Sequence, residues 1–245
     1  MADLYADASD GQVYSSPNGT WASARDDTSG TVTATTAASN TDFTAVSRFG
    51  SRGGGNTYKV NRSFMWFDTS SITGTVSAAT IKVRGKTAND GSVIAVKSTA
   101  FGGDGSASLA ATDFDNITGY RAGASLAGNA TIYGPQILTS SWSTSAYNDF
   151  TGTSDLRTDM QNNDAVIICF MDYTNDYLNS TPGSNGTSNC GAYHTEYTGT
   201  SLDPYIEYTV SASGYTHDIN GVAAASVGKV NSVATASIGK INSVD

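Results

Sequence analysis

The chain is short of charge. Charged residues fill 14% of its 245 positions, against about 25% in an ordinary soluble domain. Lys and Glu, the staples of exposed helices, give way to Thr, Val, Tyr and Ser, which suit pleated, half-buried surfaces. That exchange argues against a helical protein. Positive charge is especially scarce: the formal net charge is −9. A polyanion would be repelled by such a field, so nucleic acid is not an expected partner. No apolar run approaches the ~20 residues that span a bilayer, and no membrane partner is expected. Met1 to Asp7 lacks the basic region and apolar core of a secretory signal. With Met1 in place, assembly in a cytoplasm is expected.

Nucleophile and metal chemistry are also thin. The sequence has two histidines, His194 and His217, and two cysteines, Cys169 and Cys190. Neither histidine stands near a serine elbow, a metal-ligand partner or a reactive cysteine motif, so His194 reads as structural. No Cys/His cluster exists, and no metal or cofactor is expected. Cys169 lies in the apolar run Val166 to Met171 and reads as a buried free thiol. A disulfide to Cys190 stays open if the protein matures in an oxidising space. Asp113-Phe114-Asp115-Asn116 lacks the ligand spacing of a calcium loop and reads as a solvated turn. Asp172 and Asp176 are placed in a similar polar loop. No catalytic residue is assigned, and an enzyme is not expected.

What is present is β-pattern. Gly11–Ser15, Thr20–Ala24 and Thr31–Thr35 read as short strands between turn clusters. Gly50–Asn56, with three adjacent glycines, reads as a loop rather than a phosphate cradle. Ala79–Lys86 alternates small or apolar residues with polar ones, the mark of a strand with one wet face. Ser63–Asp68 is apolar on both sides and reads as a central strand, with Trp66 in the core. Val93–Val96 is another strand. Asp164–Tyr173 is the most hydrophobic segment and belongs at the heart of a sheet. Tyr205–Val210 alternates again after Asp203-Pro204. The one helix expected is Ser154–Asn162, capped by Ser154, with Leu156 and Met160 on one face. Many short strands with turn-rich spacing predict an all-β antiparallel sandwich of jelly-roll type. The expected divisions are an N-terminal arm at 1–9, the sandwich at 10–210, a linker at 211–218 and a tail at 219–245.

The tail is an internal repeat. Val222 to Ser232 is followed by Val233 to Ser243. The two copies differ only at Ala224/Thr235, apart from exchanges of Val for Ile. Gly228, Gly239, Asn231 and Asn242 weigh against a helix. Short strands or an extended turn structure are favoured, with a helical stripe or a disordered spacer left open. Two repeats bury too little to stand alone, so the tail is expected to dock. Val222, Val227, Val230, Val233, Ile238, Ile241 and Val244 form the expected assembly interface. Each is worth roughly 1.5–3 kcal/mol when fully buried. Trp21, Trp142 and Tyr147 are the candidates for stacking on a sugar, although Trp142 also reads as core.

Two stretches carry a resemblance. Arg62-Ser63-Phe64-Met65-Trp66-Phe67-Asp68-Thr69-Ser70-Ser71-Ile72, followed by Val76-Ser77-Ala78-Ala79-Thr80-Ile81, resembles a pattern of carbohydrate-binding-module-like β-sandwich domains. These domains occur in phage virion proteins and bacterial surface proteins. Ser141–Thr151 and Gly199–Thr209 resemble the same family's middle segment and closing strand, so the likeness covers about residues 10–210. The motifs are more specific for fold than for function. The tail, through Ile219-Asn220-Gly221-Val222 and Lys229-Val230-Asn231, resembles repeats at the ends of phage structural proteins. The resemblance implies a virion protein without settling its place in the virion; the expected role is a capsid decoration protein or head fibre on the particle exterior. It would be a homo-oligomer, expected as a trimer, meeting other virion proteins such as the major capsid protein. The alternative is a tail-fibre or cell-surface adhesin domain that binds host glycan.

Overall fold

A computed structural model describes residues 1–34, 39–50, 54–195 and 199–211, with main chain only at 34 and 39–41, and the backbone of 229–230 and 233–234. The strands in chain order are β1 (Ala2–Tyr5), β2 (Gly11–Tyr14), β3 (Thr31–Ala34), β4 (Ser39–Gly50), β5 (Asn56–Asp68), β6 (Thr75–Asn89) and β7 (Ser92–Lys97). They continue with β8 (Ile132–Leu138), β9 (Tyr147–Thr151), β10 (Ala165–Met171), β11 (Gly186–Tyr193) and β12 (Tyr205–Ser211). Two helices, α1 (Trp21–Arg25) and α2 (Ser154–Asn162), complete the sandwich, and β13 (Lys229–Val230) and β14 (Val233–Ala234) lie in the tail.

The protein is all-β and antiparallel, as its composition predicts. A smaller layer is built from β1, β12, β6 and β9. A larger one contains β2 to β5, β7, β8, β10 and β11. Strand β6 belongs to both: Thr75–Lys82 pairs with β12, whereas Gly85, Thr87 and Ala88 pair with β11. The transfer happens at Gly85, where a Cβ would sit 1.9 Å from the Ser143 carbonyl oxygen. Only glycine fits that approach. Neighbouring strands are mostly distant in sequence, as in Greek-key sheets.

The larger layer is buried on both faces, and alternate residues of one strand feed two cores. Along β10, Val166, Ile168 and Phe170 enter the core between the layers. Ile167, Cys169 and Met171 enter a second core on the opposite face. Strand β5 divides in the same way, with Met65 and Phe67 on one side and Val60 and Phe64 on the other. This is why Ser63–Asp68 and Asp164–Tyr173 read as continuously apolar. The second core is covered by α1 and by the loops around 98–131 and 173–178, which supply Phe101, Phe114, Ala127 and Tyr177.

Several local expectations change. Thr20–Ala24 is not a strand: Trp21–Arg25 is a helix, because the Thr20 hydroxyl accepts from the Ser23 amide and caps it. Residues 1–9 are more than an arm, since β1 closes the edge of β12 with four residue pairs. Helix α2 has the expected bounds, and Leu156 and Met160 are buried. Its cap is Thr153 rather than Ser154, with the Thr153 hydroxyl accepting from the Leu156 amide. Within Gly50–Asn56, Gly50 pairs with Asn56 across the β4–β5 hairpin, while 51–53 lie outside the described residues.

Candidate functional site

The residues named for assembly lie largely outside the described part. Val222, Val227, Ile238, Ile241 and Val244 are all beyond it, as is the linker from 212. The backbone of the repeat is described at one place. There Lys229 pairs with Ala234 and Val230 with Val233, antiparallel. The rest of the repeat lies outside the described residues.

The three sugar-stacking candidates are not brought together. Trp21 is 7% exposed and its indole nitrogen donates to Asn179 Oδ1 at 3.0 Å. Trp142 is 6% exposed and packs edge-on against Phe150. Stacking needs a free ring face, so neither indole is a platform; both are core. Tyr147 is half-buried on the outer face of the smaller layer, with its ring 5.1 Å from that of Tyr205. Its hydroxyl donates to the Ser201 and Asp203 carbonyls. Burial and the neighbouring tyrosines push its pKa up to about 12. Trp66 is half-buried, with its indole nitrogen on Ser9 Oγ.

The acidic loops are not solvated turns. Asp113 is buried, and its carboxylate accepts from the Ala110 amide and Asn116 Nδ2. Asp176 is fully buried and takes a bidentate pair of bonds from Arg62, at 2.7 and 2.8 Å. Around it lie Arg25, whose Nε donates to the Asp176 carbonyl, and Phe114, 4.1 Å below the Arg62 guanidinium. Burial alone would lower the Arg62 pKa, yet Asp176 and Tyr120 hold it above its ordinary value. Arg25, Arg62 and Asp176 are closed to solvent. Arg62 opens the motif that carries the resemblance. Elsewhere in that motif Phe64 and Phe67 are core, and Asp68 accepts from the Ser70 amide and hydroxyl.

His194 is fully buried beside Asp10, 3.4 Å away. Cys169 and Cys190 are free thiols in different cores, one on each face of the larger layer. The disulfide is therefore not made. Burial pushes both thiols well above their ordinary value, to about 12 for Cys190, so neither is a nucleophile. Among the described residues no group of three or more His, Cys, Asp and Glu could hold a metal. No helix among them is long and apolar enough to cross a membrane.

A polar groove is set into the larger layer. It lies between β2, β3, β4 and β5, with a volume of about 140 Å³. Gln12, Tyr14, Asp42, Ser47, Lys59 and Asn61 are among its lining residues. By strand alternation Ser47, Lys59 and Asn61 face the same side as Phe43, Met65 and Phe67, while Asp42 meets Gln12 and Asn61 through its carbonyl. Asn61 is 7% exposed; its amide nitrogen donates to the Asp42 carbonyl, while its Oδ1 is buried with no hydrogen-bond partner. The Lys59 ammonium lies 3.7 Å from the Tyr14 ring centroid. Asp42 Oδ1 accepts from Asn189 Nδ2 at 2.5 Å. The sequence reading missed this site. Its one signal was Lys59, Asn61 and Ser63, polar at alternate positions of a strand that is otherwise apolar.

No known family model matches the sequence, and a comparison with curated proteins returns no match.

Proposed function

We propose that this chain is a non-enzymatic structural component of a tailed-phage virion, a capsid decoration protein or head fibre that works by subunit assembly. The observation that carries this reading is the 11-residue repeat, in which Lys229 pairs with Ala234 and Val230 with Val233. The sandwich buries its own apolar residues in two cores, and its large exposed hydrophobics are few and scattered. The tail adds eight Val and Ile residues, in two repeats too short to bury them alone. Sister subunits and the shell beneath them would cover those residues.

The test compares the full chain with a variant truncated before Ile219, by sedimentation and by incorporation into particles in cells that make the other virion proteins. The expected result is a trimer that incorporates when the tail is present, and a folded monomer that stays off the particle when it is removed. A full-length chain that sediments as a monomer and stays free of particles overturns the proposal. So does a truncated chain that incorporates normally.

A further inference from the structure

We infer that Asn185 is a modification site, where the native fold lets the side-chain amide deamidate through a succinimide to aspartate and isoaspartate. The inference is independent of the tail and of virion assembly. Three Asn-Gly pairs occur, at Asn18-Gly19, Asn185-Gly186 and Asn220-Gly221. Glycine after asparagine favours the ring closure, because no Cβ shields its amide nitrogen. Asn220-Gly221 lies outside the described residues. Asn18 and Asn185 are both exposed, so exposure does not separate them. Bonding does. The Asn18 amide donates to the Tyr58 carbonyl at 3.0 Å, and the Asn18 carbonyl accepts from the Tyr58 amide at 2.7 Å. Asn18 Oδ1 also accepts from the Thr20 amide at 3.3 Å. Tyr58 is itself buried, so this grip is anchored in the core. Among the described residues no hydrogen bond holds the Asn185 side chain. Gly186 is the first residue of β11, opposite Arg48 at the end of the ladder, where strands open most readily. Its φ is +140°, and apart from its chain neighbours no heavy atom lies within 4 Å of where a Cβ would sit. The nitrogen of Gly186 thus has room to approach Asn185 Cγ.

The Gly186 amide nitrogen gives its proton to hydroxide and attacks Asn185 Cγ. The bond from Cγ to the side-chain nitrogen breaks, and that nitrogen leaves as ammonia with a proton from water. Water then opens the cyclic imide at either carbonyl. The net change is amide plus water to carboxylic acid plus ammonia, and nothing is oxidised or reduced. The product carries a new negative charge next to the strand partner of Arg48, whose Nη1 donates to the Pro182 and Gly183 carbonyls. Asn185 precedes the first β4–β11 pair, so the extra backbone carbon of isoaspartate falls outside the ladder and the strands stay paired.

The experiment incubates the full chain in warm, mildly alkaline buffer, once folded and once in urea, and follows each Asn-Gly peptide by mass spectrometry. The rate at each site in the folded chain is divided by the rate at the same site in urea, which removes differences of local sequence. By that measure Asn185 should convert about tenfold faster than Asn18, the factor that one or two ordinary hydrogen bonds supply by holding Asn18 still. Asn185→Gln, an exposed and conservative change, should leave its own peptide unmodified and the Asn18 rate as in wild type. The Asn220 peptide is scored separately, so the state of the tail and the fate of the assembly proposal do not enter the result. The inference is overturned if Asn18 converts as fast as Asn185 or faster by this measure. It is also overturned if Asn185 stays intact in the folded chain over the time in which urea converts it.

Discussion

The two faces of the larger layer solve the same problem with different chemistry. Between the layers, Phe43, Phe67, Ile81, Phe150, Ile168 and Phe170 meet other strands. Strands satisfy their own backbone, so a sheet covered by a sheet needs only apolar side chains. On the opposite face the cover is loops and a five-residue helix. Loops bring carbonyls that no ladder pairs. Two buried arginines pair four of them: Arg62 donates to the Phe114 and Arg25 carbonyls, and Arg25 to those of Asp176 and Ala124. Asp176 balances that positive charge from inside, and Asp26 from the edge. The loop cover also holds Phe101, Leu126 and Ala127 at positive φ, a conformation that costs a side-chain-bearing residue energy. The irregular cover thus pairs its loop carbonyls with buried ions.

The strongest way to break this contrast is to remove the carboxylate. Asp176→Ala leaves the Arg62 guanidinium buried without its counter-charge. The expected loss is about 3–5 kcal/mol in urea unfolding. The double variant Arg62→Met with Asp176→Leu should recover only part of it, because it removes the buried charges but leaves the Phe114 and Arg25 carbonyls without their donor. A loss below about 1 kcal/mol for Asp176→Ala would mean that the loop cover does not depend on the pair.

The difference between the faces also decides what was legible in the sequence. The core between the layers follows local periods: Ala79–Lys86 alternates, and Val166–Met171 runs apolar because both its faces are buried. Helix α2 was legible to the residue from the spacing of Leu156 and Met160. The second core follows no period, since its ion cluster joins Arg62 to Asp176 across 114 positions and Arg25 to the Asp176 carbonyl across 151. Nothing within one window shows such a pairing. Helix α1 escaped for the opposite reason. Its Thr and Trp favour strands, and a single hydroxyl cap reverses that preference. The groove gathers ordinary polar residues from four strands, so only the folded sheet shows that Asn61 is buried with its Oδ1 unpaired.

A second test compares two buried carboxylates of the same loop cover. Asp176 faces arginine. Asp172 meets only neutral donors: the Ser92 amide and hydroxyl, both at 3.0 Å, and the Asn175 amide at 2.6 Å. Burial pushes the Asp172 pKa up to about 6, against the pull of those hydrogen bonds. The folded state therefore holds this proton more tightly than the unfolded chain does. The resulting stability is fully present below about pH 4 and is lost as the pH rises through about 6. Relative to Asp172→Asn, wild type should gain up to about 3 kcal/mol on going from pH 7 to 4. Asp203, also raised to about 6 by burial, acts equally in both proteins and cancels. Parallel stability curves over that window would show that Asp172 is as well compensated as its neighbour.

The smallest effect distinguishes a local rule from its look-alike. Helix α2 lies on the apolar side of the contrast, where Leu156 and Met160 anchor it in the core between the layers. Both Thr153 and Ser154 are residue types that cap helices, and the sequence alone favours Ser154. In the fold Thr153 is extended, with φ −69° and ψ 172°. Its hydroxyl accepts from the Leu156 amide and donates to the Ile132 carbonyl at 2.7 Å. Ser154 is exposed and already inside the helix. Thr153→Ala should therefore cost about 1 kcal/mol, within the 0.5–2 kcal/mol usual for a lost cap. Ser154→Ala should stay within about 0.5 kcal/mol of wild type, as exposed substitutions do. Thermal unfolding of the two single variants reads the difference. An inverted order would place the start of α2 one residue later. Near-equal small losses would mean that core packing alone holds this helix, as it holds the sheets around it.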